Sequence, residues 1–275
     1  MKHLIAVGAC YLDTILTVPH FPSEDSKLRA TGVKVRRGGN CPNTLEVLQQ
    51  LLSGIDGSRY DDNGNGQRTE AAAEQVTLHL LSCLPDANSP ARAKIVSSFG
   101  ADTTVDFSMC LHRGGHDEAA SCYIIRSAET GSRTIVNFND LPELVVDEFI
   151  AKAGLVAGQD CWWHFEGRIP ETTLKCVQHL RRSQPGCKIS VEVERPGREG
   201  LTDLAAQADV VFYSRNWAES RGYTSAEACL RGESSPRASS IFCTWGERGA
   251  CGLTVQGQDF AQHCPTIRSD FRVVE

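Results

Sequence analysis

Six compact, strand-like runs, several of nearly continuous apolar character, with helical stretches between them, constrain this chain more than any other feature. The runs are HLIAVGA (3–9), VTLHLLSCL (76–84), CWWHFEG (161–167), KISVEVE (188–194), DVVFYS (209–214) and SIFCTW (240–245). Strands of a parallel sheet are covered on both faces and need apolar side chains on both, which these runs supply. Between them, CPNTLEVLQQLL (41–52) places Leu45, Leu48, Leu51 and Leu52 on one face of a helix, and IPETTLKCVQHLRRS (169–183) and TSAEACLRG (224–232) show similar spacing. The alternation predicts a βαβ architecture of α/β class. Two segments depart from it: KLRATGVKVRRGG (27–39), and FSMCLHRGG (107–115) continuing into ASCYIIRSAETGSRTIVNF (120–138). Their alternating pattern and Gly turn predict a small sheet beside the main domain.

At 275 residues the chain holds one large α/β domain or two ordinary ones. Residues 53–75 are rich in Gly, Asp, Asn and Ser and read as a flexible surface insertion, with PDANSP (85–90) as a second loop. A formal charge of -6 leaves no basic footprint for a nucleic-acid backbone. No apolar run is long enough to span a bilayer, so neither nucleic acid nor membrane is expected as a partner. The 12 cysteines are dispersed with no CxxC, and the closest pair, Cys243 and Cys251, is eight apart. That pattern fits reduced, buried thiols and a cytoplasmic location. The 8 histidines form no HExxH, which argues against a Cys or His metal site.

The first chemical signal is RRGGNCPNTLEVL (36–48). Two glycines let backbone approach a ligand closely, and Asn40 and Asn43 offer amide donors and acceptors beside a helix N-terminus, as a hydroxyl-rich ligand requires. A Gly turn with an Asn cap explains the same residues without any ligand.

The wider stretch VGACYLDTILTVPHFPSEDSKLRATGVKVRRGGNCPNTLEVL (7–48) resembles the N-terminal signature of the ribokinase-like, or PfkB, sugar kinases, and most closely their ketohexokinase branch. ETGSRTIVNFNDLPEL, WWHFEGR, ISVEVERP, DVVFYSRNWAE, SAEACLRG and CTWGERGA continue the likeness in order and spacing, apart from the insertion and the stretch from about 85 to 106. The resemblance implies a doubly wound α/β sandwich with a β lid. The core would comprise residues 1–11, 38–106 and 137–275, and the lid residues 12–37 and 107–136. The activity implied is phosphoryl transfer from ATP, with Mg2+, to a primary hydroxyl of a ketose such as fructose.

The resemblance also implies roles. Asp13, Asp25, Gly39, Asn40 and Asn43 would bind the sugar; Arg133 and the turn Gly246, Glu247, Arg248, Gly249 the nucleotide; Asn216 and Glu219, an NxxE element, Mg2+ through waters. Glu166, Arg168, Glu192 and Glu194 lie at strand ends expected to face the cleft. Ketohexokinases lack a full NxxE, so its presence leans toward the wider family and loosens the substrate assignment to other sugars or nucleosides. In the family the segment matching RVVE (272–275) leads into a Gly-rich GAGD turn that carries the catalytic base, which is therefore expected after Glu275 rather than among the 275 residues. The sequence is accordingly expected to be truncated before that motif, with turnover impaired and apolar sheet surface uncovered. A non-catalytic sugar- or nucleotide-binding module stands as the alternative, and a homodimer through the lid as the expected assembly.

Overall fold

The computed structural model describes residues 2–55, 76–233, 235–254 and 262–264. The rest of the insertion falls outside the described residues, as does the strand-like ending FRVV with Glu275, after which the catalytic-base turn is expected. In chain order the elements are β1 (Lys2–Val7), β2 (Tyr11–Val18), β3 (Gly32–Gly38), α1 (Asn40–Ile55), β4 (Val76–Leu81), β5 (Cys83–Leu84), α2 (Pro90–Ser97), β6 (Val105–Asp106), β7 (Leu111–His112), β8 (Ser121–Ser127), β9 (Arg133–Phe138) and α3 (Val146–Gly154). They continue with β10 (Asp160–Glu166), α4 (Pro170–Ser183), β11 (Lys188–Val193), α5 (Leu201–Ala205), β12 (Val210–Tyr213), α6 (Arg215–Ser220), α7 (Ala226–Gly232), β13 (Ser240–Thr244), β14 (Ala250–Thr254) and β15 (Gln262–Cys264).

All six apolar runs are strands of one nine-stranded sheet, in the order β15-β14-β13-β12-β11-β10-β1-β4-β6. Pairing is parallel from β6 to β13 and antiparallel through β14 and β15. The first strand is central because its neighbours run outward on both sides, β4 on one and β10 on the other, which creates a topological switch point. Side chains alternate across the sheet. Ile5 and Val7 enter a large cluster with Trp163, Phe165, Ile189 and Val191, covered by Phe149 of α3 and Val177 and Leu180 of α4. Ala6 joins Leu78 and Leu80 on the opposite face, under Cys41 and Leu45 of α1 and Ile95 of α2. Helices on both faces make this an α/β/α sandwich.

Two details differ from the sequence reading. Leu51 is 39% exposed although Leu45 is fully buried. At 100° per residue position 51 lies about 120° round the helix from 45, off the stripe that 48 and 52 continue. The first helix also runs on to Ile55, three residues into the span read as an insertion, with Ser53 bonded back to the carbonyl of Gln49.

Of the departing segments, 107–115 supplies β7, which pairs with β5, whereas residues 32–38 and 121–138 form, with β2, a separate four-stranded sheet β3-β2-β8-β9 joined to the core through Gly38 and Gly39. Its register puts Arg36, Asp13, Cys122 and Asn137 in one row across the four strands. On the other face Val33, Val35, Tyr123, Val136 and Phe138 are exposed.

Candidate active site

The polar residues of the core gather where the parallel strands end. Strand β10 sends Cys161, Trp163 and Phe165 into the large cluster, so Trp162, His164 and Glu166 fall on the α1 face. The same alternation in β11 buries Ile189, Val191 and Val193 and turns Ser190, Glu192 and then Glu194 to the α1 side. This period-2 polar row was the available signal for His164 and Ser190, which the sequence reading did not single out.

A cleft of about 270 Å³ opens there, lined by Asn40, Thr44, His164, Glu192, Glu194 and Thr244 among others. It lies at the carboxyl ends of β10 to β13, where open α/β sheets hold ligands. The indole N–H of Trp162 donates to Ser190 Oγ at 2.8 Å, so the Ser190 hydroxyl is free to donate to His164 Nδ1 at 2.9 Å. In the tautomer where Ser190 donates, His164 Nε2 carries the proton and faces Glu192 Oε1 3.4 Å away. The other oxygen of Glu192 accepts from Asn40 Nδ2 at 3.0 Å.

The first helix begins at a strained glycine. Gly39 has φ +104°, and a Cβ there would collide with the carbonyl oxygen of Ala9. Its own carbonyl takes the N–H of Asn43 at 3.1 Å. The Ala9 N–H in turn donates to Glu166 Oε2 at 2.8 Å. Glu166 is buried, and desolvation raises its pKa against the help of that N–H and of Arg168. Arg168 pairs with Glu143, and both line a second, smaller cavity of about 40 Å³ together with Gly8 and Cys10.

Asn43 is engaged differently from Asn40. Its side-chain oxygen accepts from Arg37 Nη1 at 2.9 Å. Arg37 is buried, pairs with Glu46, bonds Ser98 at 3.1 Å and lies 4.2 Å from the centre of the Phe99 ring. It stitches α1 to the end of α2, a structural duty that the sequence did not disclose.

Asp13 is the outstanding group on the smaller sheet. It is 8% exposed, and Oδ1 has no hydrogen-bond partner among the described residues. Arg36 Nε stands 3.9 Å from Oδ2, beyond hydrogen-bond range. Burial raises the Asp13 pKa, with Cys122 and Arg36 pulling it back. Gly38 lies against the same carboxylate, since a Cβ at 38 would overlap Asp13 Oδ2.

The structure thus brings Asp13, Gly38, Gly39 and Asn40 into one continuous edge from the smaller sheet to the cleft. It does not bring the other expected residues there directly. Asp25 is exposed in the β2–β3 connection with φ 55°. Arg133 pairs with Arg126, which lies opposite Thr17, about 13 Å along the sheet from the Asp13 row. Asn216 and Glu219 are exposed on α6, where Arg215 Nε holds Glu219 Oε1 at 2.6 Å. The turn Gly246–Arg248 follows β13, with Gly246 at φ 60° and Gly249 at φ 88°. The Trp245 ring lies 5.8 Å from the guanidinium of Arg215 and 5.8 Å from that of Arg248. A hard cation needs oxygen donors, and the carboxylates lining the cleft are Glu192 and Glu194; Glu219 would have to leave Arg215 to join them. The expectation of a general base following Glu275 concerns a segment beyond the described residues, so the cleft geometry bears on binding and positioning and assigns no residue to proton abstraction.

No family model matches the chain. It is 30% identical over 266 residues to ketohexokinase of Mus musculus, an alignment covering 94% of this chain and 79% of that relative. Among solved structures, the ribokinase of Arabidopsis thaliana complexed with ribose and ATP superposes with a TM-score of 0.68 at 12% identity, covering 94% of this chain and 77% of the other. A putative ribokinase from Agrobacterium tumefaciens gives 0.66 at 19% identity, covering 98% and 78%.

Proposed function

Because the chain belongs to the ribokinase-like (PfkB) carbohydrate kinases, we propose that it transfers a phosphoryl group from ATP, with Mg2+, to a primary hydroxyl of a ketose such as fructose. The observation that carries the sugar assignment is the buried, unpartnered Oδ1 of Asp13. An orphaned buried acceptor costs about 1–3 kcal/mol, and a sugar hydroxyl donating to it recovers that loss. A site built this way rejects analogues lacking the hydroxyl, because the carboxylate would stay buried and unpaired.

In this reading Asp13, Gly39, Asn40 and Asn43 position the sugar, and Asp25 joins them when the smaller sheet closes as a lid over the core. Closure also carries Arg133 toward the nucleotide held at Thr244 and the 246–249 turn. Phosphoryl transfer is accelerated chiefly by positioning and by neutralising phosphate charge. Magnesium supplies part of that charge when bound; Glu192 and Glu194, with Asn216 and Glu219 through waters, are the residues that would hold it. The exposed apolar face of the smaller sheet supports a homodimer through the lid. Free thiols at the cysteines from Cys10 to Cys251 support a cytoplasmic setting. No described helix is long and apolar enough to cross a membrane.

The test is a coupled ADP assay with fructose, other ketoses and nucleosides as acceptors. Fructose-dependent, saturating ADP formation that Asp13→Ala abolishes is the expected result for a protein carrying the base turn expected after Glu275, with impaired turnover for the 275 residues alone. Fructose binding without ADP formation would assign a sugar-binding module instead, and failure of every acceptor to bind would reject both.

A further inference from the structure

The row Arg36, Asp13, Cys122, Asn137 runs across all four strands of the smaller sheet, and each member is the direct cross-strand neighbour of the next. Directly opposed side chains in a sheet are close enough to interact. Cys122 stands directly opposite Asp13 across the β2–β8 pair, which sets its thiol beside the carboxylate. From the far side Asn137 Nδ2 donates to that sulfur at 3.5 Å. Asp13 itself is more than nine-tenths buried with Oδ1 unpartnered, so the row holds an acceptor that awaits a donor.

We propose that Cys122 is a positioning residue of the sugar site: its thiol donates to the Asp13 carboxylate, Asn137 holds the sulfur in place, and Oδ1 is thereby kept open for a ligand hydroxyl. The proposal deepens the sugar-kinase reading and rests on it for the ligand, though not for the bond. The electrostatics agree. Burial and Asp13 raise the Cys122 thiol above its ordinary value, while the Asn137 amide lowers it. Tyr11 on β2 and Arg36 on β3 are the other titratable groups facing this pair. A thiol so placed stays protonated at neutral pH and serves as a donor.

The experiment is iodoacetamide alkylation of the full chain, mapped to Cys122 by peptide mass spectrometry between pH 7 and pH 10. The thiolate is the reacting species, so the rate below the thiol pKa reports that pKa. Asp13→Asn removes a charge and acceptor that disfavour the thiolate and is expected to speed alkylation about tenfold at pH 8. Asn137→Ala removes a donor that favours the thiolate and is expected to slow it severalfold. Loss of folding would expose the thiol in both variants, so only the proposed row gives opposite signs. Acceleration in both, or in neither, overturns the proposal.

Saturating fructose is expected to slow alkylation of the parent chain. Opposite signs without fructose protection leave the bond standing and reject the sugar assignment. Cys122→Ala is expected to move the acidic limb of the fructose-binding profile to higher pH, and Cys122→Ser to restore it. An acidic limb unmoved in Cys122→Ala overturns the positioning role.

Discussion

Asn40 and Glu192, 152 positions apart in the chain, meet as donor and acceptor at 3.0 Å and fasten the first turn of α1 to the carboxyl end of β11. Removing either partner frees the helix start from the cleft wall. A hydrogen bond to a charged group is worth about 1.5–3 kcal/mol. Asn40→Ala and Glu192→Ala should each lose that amount in urea unfolding. The double variant should lose less than the sum, because the two act as one contact.

Arg37 makes a sharper demand. It is buried among Glu46, Asn43, Ser98 and the Phe99 ring, and its removal leaves Glu46 without its counter-charge. Breaking a buried pair from one side costs about 3–5 kcal/mol. Arg37→Met should lower stability by about 3 kcal/mol in denaturant titration. Arg37→Lys should fail to rescue it, since an ammonium cannot meet three partners and a ring in fixed directions.

Asp13 links acidity to affinity and to stability with opposite signs. Burial holds its carboxyl above the ordinary value of 3.8, so the folded state binds the proton more tightly than the unfolded chain does. Its unfavourable contribution to folding is absent below 3.8, grows as pH rises through the raised folded value, and is complete above it. Asp13→Asn should therefore raise the melting temperature at about pH 7 and leave it nearly unchanged at about pH 3.5. Calorimetric titration of the same variant with fructose should show affinity lost. In the parent chain fructose affinity should fall on acidification at a pH above that of an ordinary aspartate.

The apolar outer face of the smaller sheet bears on assembly. Val33 is 69% and Val136 59% exposed, with Tyr123 and Phe138 beside them. If two copies bury this face together, Val136→Lys combined with Tyr123→Lys should halve the mass measured by light scattering without lowering the melting temperature of the separated chain. A parent chain that is already monomeric at high concentration would dismiss the dimer.

The sheet was legible because several of its strands are apolar on nearly every position, as in VTLHLLSCL, while KISVEVE shows strand alternation with one apolar face. The helix α2 was not read, although Ser89 caps it through the N–H of Arg92 and Pro90 opens it; the same Ser-Pro pair was taken as part of a loop. At the site, Asp13, Gly39 and Asn40 were visible as residues, but their relations were not. The contact of Asn40 with Glu192 and the hold of Arg37 on α2 depend on distant segments meeting, which local pattern does not encode. Glu219 shows the converse. The family resemblance implied a contact to metal-bound water for it, and locally it pairs with Arg215, one helical turn back.

Gly39 closes off one route and opens others for anyone who would redirect this cleft to a different sugar. With φ at +104° and the carbonyl of Ala9 where a first side-chain carbon would go, no other amino acid fits without moving the backbone that starts α1. Every variant library randomised at 39 would return misfolded protein or the parent. Diversity belongs at Thr44, Cys122 and Thr244, where a changed side chain alters the lining of the cleft or the orientation of Asp13 and the main chain stays put.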